Sequence, residues 1–349
     1  MEAFVLVIGG GQAGLAAGYY LRKAGIPLVI VDERLRSGDN WRVRYNSLVL
    51  FTPRQFSSLP GLEMEGNRES YPSRLEFADY LEAYASHFAL PIKLGRQVAN
   101  LTLQGQGVFE AALDSGEKIA ASSVIVATGA FQRAVVPEVA SQFGREVLQL
   151  TAETYLSPRQ LPDGPVLVVG DGASGRDIAV DCLKTNPVFL AVGKPRRLFP
   201  ERIFGKSIWW WLKLAGILKA PAESFIGRKV KRADAFPDRN RSVATLKRLG
   251  VRIVSRLTAA VGSEAKFSDG SSAVVRTVIW ATGYRDDSSW LAVPGATTPN
   301  GSFIHDSGRS PIKGLYFVGR PWQRNRASAL VMGAGPDADV IVQQVLRDN

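Results

Sequence analysis

A strand-like apolar run, a glycine turn and a helix-like run follow one another twice in this chain, and that repeated grammar constrains the fold more than any other feature. Phe4 to Ile8 is a short, β-branched apolar run that leads into Gly9-Gly10-Gly11-Gln12-Ala13-Gly14 and then into Leu15 to Lys23, of helical composition. Gly9, Gly11 and Gly14 stand in the register of a dinucleotide-binding turn. The first makes the tight turn, the second lets backbone approach a pyrophosphate, and the third lets helix and strand pack closely. Amides around Gln12 and Ala13, at the helix start, then face the anion. Gly25 is the expected helix stop, Pro27 to Val31 the next strand, and Asp32-Glu33 its end, 18 residues after Gly14. An acid there is placed to accept the hydroxyls of an adenosine ribose.

The second copy runs from Val166 to Val169 through Gly170-Asp171-Gly172-Ala173-Ser174-Gly175, with Arg176 to Lys184 as helix and Val188 to Val192 as strand. Here no acid ends the strand; Gly193-Lys194-Pro195-Arg196-Arg197 follows instead. Lys194 and Arg196 suit a ribose 2′-phosphate, so this half is expected to prefer NADPH over NADH. The plain alternative is a solvated basic loop. Val124 to Val126 and Val278 to Trp280 each run into Ala-Thr-Gly, at Ala127-Thr128-Gly129 and Ala281-Thr282-Gly283. These read as the points where the chain crosses between two units. The expectation is an α/β protein with two Rossmann-like domains, the second (159–284) inserted into the first (1–158 and 285–349). Ser328 to Gly335 leads into a helix-like stretch, Asp337 to Leu346, whose N-terminus is expected by chain order to face the first cofactor.

Composition narrows the chemistry. The chain of 349 residues holds one Cys and two His, which excludes a disulfide scaffold, a two-thiol redox centre and a Cys-rich metal site. Cys182, in an expected helix, reads as a core residue. A net charge of +11 invites a nucleic-acid reading, yet no nucleic-acid motif accompanies it, so the basic surface is read as an attractor of a phosphorylated cofactor. No apolar run reaches the roughly 20 residues of a membrane span, and the first residues lack the basic start of a signal peptide. A cytoplasmic location is expected.

Gly38-Asp39-Asn40-Trp41-Arg42, Tyr45-Asn46-Ser47-Leu48, Phe51-Thr52-Pro53, Ser57-Ser58-Leu59-Pro60-Gly61 and Gly314 to Gly319 complete a pattern. With both glycine turns and both Ala-Thr-Gly segments, the chain resembles bacterial flavin-containing monooxygenases of class B, which are related to Baeyer-Villiger monooxygenases. The resemblance implies FAD at the first turn (Gly9, Gly11, Gln12, Ala13, Gly14, Asp32, Glu33, Trp41, Arg42, Ala127, Thr128, Gly129, Gly319). It implies NADPH, with NADH as a weaker option, at the second (Gly170, Gly172, Ala173, Ser174, Gly175, Lys194, Arg196, Thr282, Gly283). It further implies transfer of one oxygen atom from O2 to small apolar sulfides, amines or ketones through a flavin peroxide, that is, sulfoxidation or Baeyer-Villiger chemistry. Trp41 would cover part of the flavin. Thr52, Gln323 and Arg324 are the polar candidates to meet the oxygen adduct or NADP, with ordinary loop hydrogen bonding as the competing reading.

Two departures from the family pattern stand out. Arg145, Val147 and Thr151 replace a Phe, a Gly and a His of its fingerprint, although Tyr155 keeps the aromatic. Thr52-Pro53 stands where many relatives have Thr-Asn, and proline supplies neither side-chain amide nor N–H.

Ile208-Trp209-Trp210-Trp211-Leu212 reads three ways: as a lid or wall of an apolar substrate channel, as a membrane-surface helix, or as ordinary cover for the NADPH domain. The basic residues that follow, Arg228, Lys229, Lys231 and Arg232, are most simply a solvated face. The main rival activity is an FAD-dependent reductase passing electrons to an external carrier or quinone. A second rival is a non-catalytic, basic nucleotide- or nucleic-acid-binding module. The expected partners are a small apolar organic molecule and O2, with no nucleic acid and no transmembrane segment; a homodimer is left open.

Overall fold

A computed structural model describes residues 4–348 except 195, 197 and 234. Two sheets of the same design organise the chain. The first contains β1 (Val5–Ile8), β2 (Leu28–Asp32), β3 (Ile92–Leu94), β7 (Ser123–Val126) and β16 (Leu315–Phe317), all parallel, in the order β16-β7-β1-β2-β3. The second contains β8 (Leu148–Thr151), β9 (Val166–Val169), β10 (Val188–Ala191), β11 (Arg252–Val254) and β15 (Thr277–Trp280), also parallel, in the order β11-β10-β9-β15-β8. Each sheet carries a three-stranded antiparallel meander before its crossover strand: β4 to β6 (Val98–Leu103, Phe109–Leu113, Lys118–Ala121) and β12 to β14 (Leu257–Val261, Glu264–Phe267, Ser272–Val274).

Central strands buried on both faces explain the continuous apolar runs: every residue of β1, β7 and β15 is buried. Helix α1 (Gln12–Lys23) begins at the first glycine turn and buries Leu15, Ala16, Ala17 and Leu21; it stops at Gly25, whose φ of +70° suits a residue without Cβ. Helix α2 (Arg74–His87) opens with a Ser73/Glu76 capping box. Helix α3 (Ala173–Cys182) begins at the second turn and α6 (Val243–Leu249) is capped by Ser242. Between α3 and α6 lie a small hairpin (Arg202–Ile203 with Lys206–Ser207), α4 (Ile208–Leu214) and α5 (Phe225–Ala233).

Three sequence expectations change. The boundary at 158/159 cuts one residue set from its own sheet: β8, before that boundary, pairs residue for residue with β15. Four residues, three of intermediate burial and Gln149 exposed, with no turn signal after them gave the sequence no handle on this edge strand. The last helix, α7, runs Val331–Asp348 rather than starting at Asp337. Pro336 lies within it, and Gly333 and Gly335 let its first turns press onto Ala327 and Pro60. Finally, α4 does not cover the second sheet. Ile208 and Trp209 pack with Phe56, Phe51, Leu330 and Met332, all outside the inserted unit.

Candidate active site

At the first turn, local sterics leave little choice of residue. A Cβ on Gly14 would lie 1.8 Å from the Gly9 carbonyl oxygen, and one on Gly9, at φ +103°, 2.7 Å from the Ala127 oxygen. Gly11 caps α1 without any side-chain hydrogen bond, so the first-turn amides are left to an external acceptor. At the end of β2, Asp32 accepts from the Gly10 and Arg34 amides; burial is the main influence on its carboxyl and pushes it upward. Glu33 is more exposed and pairs with Arg34 at 3.3 Å.

A cavity of about 420 Å³ opens from this turn. Gly9, Gly11, Gln12, Ala13, Asp32, Glu33, Trp41, Thr52, Ala127, Thr128, Gly129 and Gly319 line it from the first half, as the sequence expects. Gly14 stands behind them as a packing glycine. Trp41 donates from Nε1 to Gln12 at 3.2 Å and sets its ring edge-on to Phe77. Thr52 is buried, its hydroxyl 2.8 Å from that of Ser57. Val331 and Ala334, from the first turn of α7, complete this end. Ala173, Ser174 and Asp177 on α3 close the same cavity from the second half.

The second turn repeats the first. A Cβ on Gly175 would fall 1.9 Å from the Gly170 oxygen, and one on Gly170 2.4 Å from the Ala281 oxygen; Gly172 caps α3 with no side-chain bond. What differs is the residue after the first glycine. Asp171 is buried and pairs with Arg176 at 3.0 Å and with Arg196, beyond the strand end, at 3.3 Å. Lys194 beside it is exposed.

Several expected site residues lie elsewhere. Arg42 faces away from the cavity into an ion cluster with Asp39, Asp79 and Glu82 at 3.0, 2.7 and 2.6 Å. The Gln323 amide is buried and spent on the main chain: its nitrogen donates to the Phe317 oxygen at 2.9 Å and its oxygen accepts from the Arg320 amide. Arg324 donates to the Pro336 oxygen and pairs with buried Asp337 at 3.3 Å, outside the cavity lining. Thr282 donates to the Val135 carbonyl and Gly283 accepts from the Val135 amide, so this pair fixes the crossover.

The structure also assembles residues that the sequence did not bring forward. Asp177 of α3 accepts from Tyr45 of the first half at 3.4 Å and from Arg239 at 2.9 Å, with Arg241 3.4 Å away. Burial, with the Asp177 charge, pushes the Tyr45 phenol far above its ordinary range. Arg44 donates to the Tyr284 hydroxyl at 3.1 Å and lies over the rings of Tyr284 and Phe131. Arg320 bridges Gly129 and Asp286. The available signal was an acid at a core-facing position of a fingerprint helix: Asp177 sits one residue before buried Ile178.

These cradles, with Cβ-free backbone, unpartnered helix-start amides, an acid at one strand end and a cation at the other, fit an FAD at the first turn and an NADP at the second.

Comparison with known proteins agrees. Residues 6–196 match the family model of pyridine nucleotide-disulphide oxidoreductases. An uncharacterised CzcO-like oxidoreductase of Geobacillus kaustophilus is 43% identical, over 98% of both chains. A flavin-containing monooxygenase from Stenotrophomonas maltophilia superposes with a TM-score of 0.83 at 27% identity, over 99% of each chain. Indole-3-pyruvate monooxygenase YUCCA1 of Oryza sativa subsp. japonica is 27% identical over 83% of this chain and 79% of its own. The chain belongs to the pyridine nucleotide-disulphide oxidoreductase family and is a flavoprotein of the flavin-containing monooxygenase type.

Proposed function

We propose that this enzyme uses NADPH and O2 to place one oxygen atom on small apolar sulfides, amines or ketones. One observation carries the reading: a single cavity is lined both by the glycine turn of the first half and by Ala173, Ser174 and Asp177 at the helix start of the second, which would bring two bound dinucleotides together. When bound, flavin and nicotinamide supply the hydride transfer and oxygen activation. The polypeptide binds, orients and excludes water. Amides of Gly11 to Ala13 would hold the flavin diphosphate and Asp32 the ribose. Trp41, fixed by Gln12 and Phe77, gives the ring system a wall that cannot tilt. The α7 N-terminus, whose Val331 and Ala334 line the cavity, would favour negative charge on a bound flavin through its dipole. Buried Thr52, its hydroxyl paired with that of Ser57, would present that hydroxyl to a flavin held in the cavity, where Pro53 supplies no side-chain amide.

Arg196, steadied by Asp171, meets the 2′-phosphate of the donor, while Tyr45 and Asp177 hold α3 against the first half. The apolar side chains of Leu50, Phe51 and Leu330 at that end favour an apolar substrate over a charged one. A dithiol relay has no support, since Cys182 is the chain's one cysteine and burial pushes its thiol up to about 12.

Turnover under 18O2 with sulfide, amine and ketone panels tests the reading. One labelled oxygen per organic product is expected, with NADPH consumed in step. Full conversion of O2 to hydrogen peroxide with no labelled product on any panel overturns it.

A further inference from the structure

The excursion between α3 and α6 carries a second feature, separate from the cavity, which of this stretch only Arg239 lines. Residues 198–233 hold eight Lys or Arg against two Glu, and so most of the chain's net +11. Among these cations stand four exposed large apolar side chains, and one of them, Phe204, is the most exposed large hydrophobic residue among those described. Phe204 is 90% exposed, Phe225 76%, Leu214 67% and Ile226 50%. Phe204 occupies the tip of the Arg202–Ser207 hairpin in a left-handed conformation, φ +47°. That strain for a bulky residue is unrewarded by any burial.

The scaffold beneath is firm. Trp209 is fully buried and donates to the Phe51 carbonyl at 2.7 Å, and Trp211 donates to the Ile203 carbonyl at 3.0 Å, clamping the hairpin to α4. Phe204 rests edge-on against Trp211. Helix α5 buries only Gly227, which presses on the Pro221 and Ala222 carbonyls, and Ala222 is tied to Arg324. The remainder of its nine residues is Phe225 and Ile226 at one end, Val230, Ala233 and four cations (Arg228, Lys229, Lys231, Arg232), with no acid.

Cations alone would suit any polyanion. Large apolar groups held outward among them suit a surface that is charged outside and apolar a few ångströms in, which is the boundary of an anionic bilayer. Among the described residues no helix is long and apolar enough to cross a membrane, so attachment by this face is peripheral. We propose that Phe204, Leu214 and the first turn of α5, with the α5 cations, dock this protein on an anionic lipid surface.

The test is flotation of the flavin-loaded enzyme with vesicles rich in phosphatidylglycerol, compared with pure phosphatidylcholine and repeated at raised salt. Two variants accompany it, F204S/F225S/I226S and K229E/R232E. The wild type is expected to float with the anionic vesicles and to be released by salt. Each variant should bind about tenfold more weakly, the second through lost charge attraction. Both should keep wild-type NADPH oxidation, since none of these side chains lines the cavity. Failure of the wild type to float with anionic vesicles overturns the proposal. So does unchanged flotation of both variants, or a change in self-association without vesicles while flotation stays constant.

Discussion

The two halves share a backbone and differ in one polar contact. Both pass a glycine turn so tight that a Cβ on its third glycine would stand 1.8 Å, in the other half 1.9 Å, from the carbonyl of the first. Both leave helix-start amides without side-chain caps. Yet where the first half has Gly10 bonded to an acid at the strand end, the second has an acid, Asp171, holding a cation at the strand end. The diphosphate cradle is thus generic main chain, and on the proposed reading the two nucleotides would be told apart by an acid at the end of the second strand in one half and a cation beyond it in the other.

Substituting the packing glycines is expected to give the largest effects. Gly14→Ala and Gly175→Ala each force backbone apart, at a cost of about 3 kcal/mol or more. Gly14→Ala should yield protein without visible flavin absorbance. Gly175→Ala should keep its flavin and lose NADPH affinity by more than about a hundredfold. Equal loss of flavin in both would show that the halves do not act separately. Next come the strand ends. Asp32→Asn should weaken FAD by about ten- to a hundredfold, as for a hydrogen bond to a charged group, with NADPH affinity unchanged. Lys194→Ser/Arg196→Ser should weaken NADPH to a similar degree and leave NADH within about twofold, measured by titration of the oxidised enzyme. Equal losses for NADPH and NADH would remove the 2′-phosphate role.

Smaller effects probe the joint between the halves. Tyr45→Phe removes one hydrogen bond to Asp177 and should raise the KM for NADPH about fivefold without changing flavin content. The pH dependence of stability should divide as well. In the second half the folded Cys182 thiol titrates near 12, above its ordinary 9.0. Its contribution is therefore full below pH 9.0 and fades as pH rises toward 12. Cys182→Ala should flatten that alkaline slope in denaturation curves, without abolishing the part due to buried tyrosines. In the first half, burial and Arg320 hold His305 below its usual 6.5, so the folded state gains above that value and loses as pH falls through the lowered one. His305→Gln should flatten the acid limb, the smallest change of the series.

How much of this the sequence displayed follows from the range of the interactions. Glycine spacing and strand ends are local, and in the first half the residues named from them (Gly9, Gly11, Asp32, Ala127, Gly129) line the cavity, whereas Thr282 and Gly283 of the second crossover segment bond to Val135 instead. Contacts between distant segments were not legible. The bond from Trp209 to Phe51 spans 158 positions, and nothing in Trp209-Trp210-Trp211 says which half it will meet. Gln323 and Arg324 looked available because they are polar and near a glycine strand end. The main chain around Phe317 and the carboxylate of Asp337 claim them first. Arg42 was misread for the same reason, as its three carboxylate partners lie on the short turn that carries it and on α2.

The strand order has a consequence for biosynthesis. The inserted sheet holds all its strands once Trp280 has emerged, whereas the host sheet lacks β16 until Leu315–Phe317 arrives, 35 residues later. At ordinary elongation rates that gap lasts about 2 to 7 seconds. The guest can therefore close on the ribosome before its host, with the edge of β7 left bare in the meantime for a chaperone to guard.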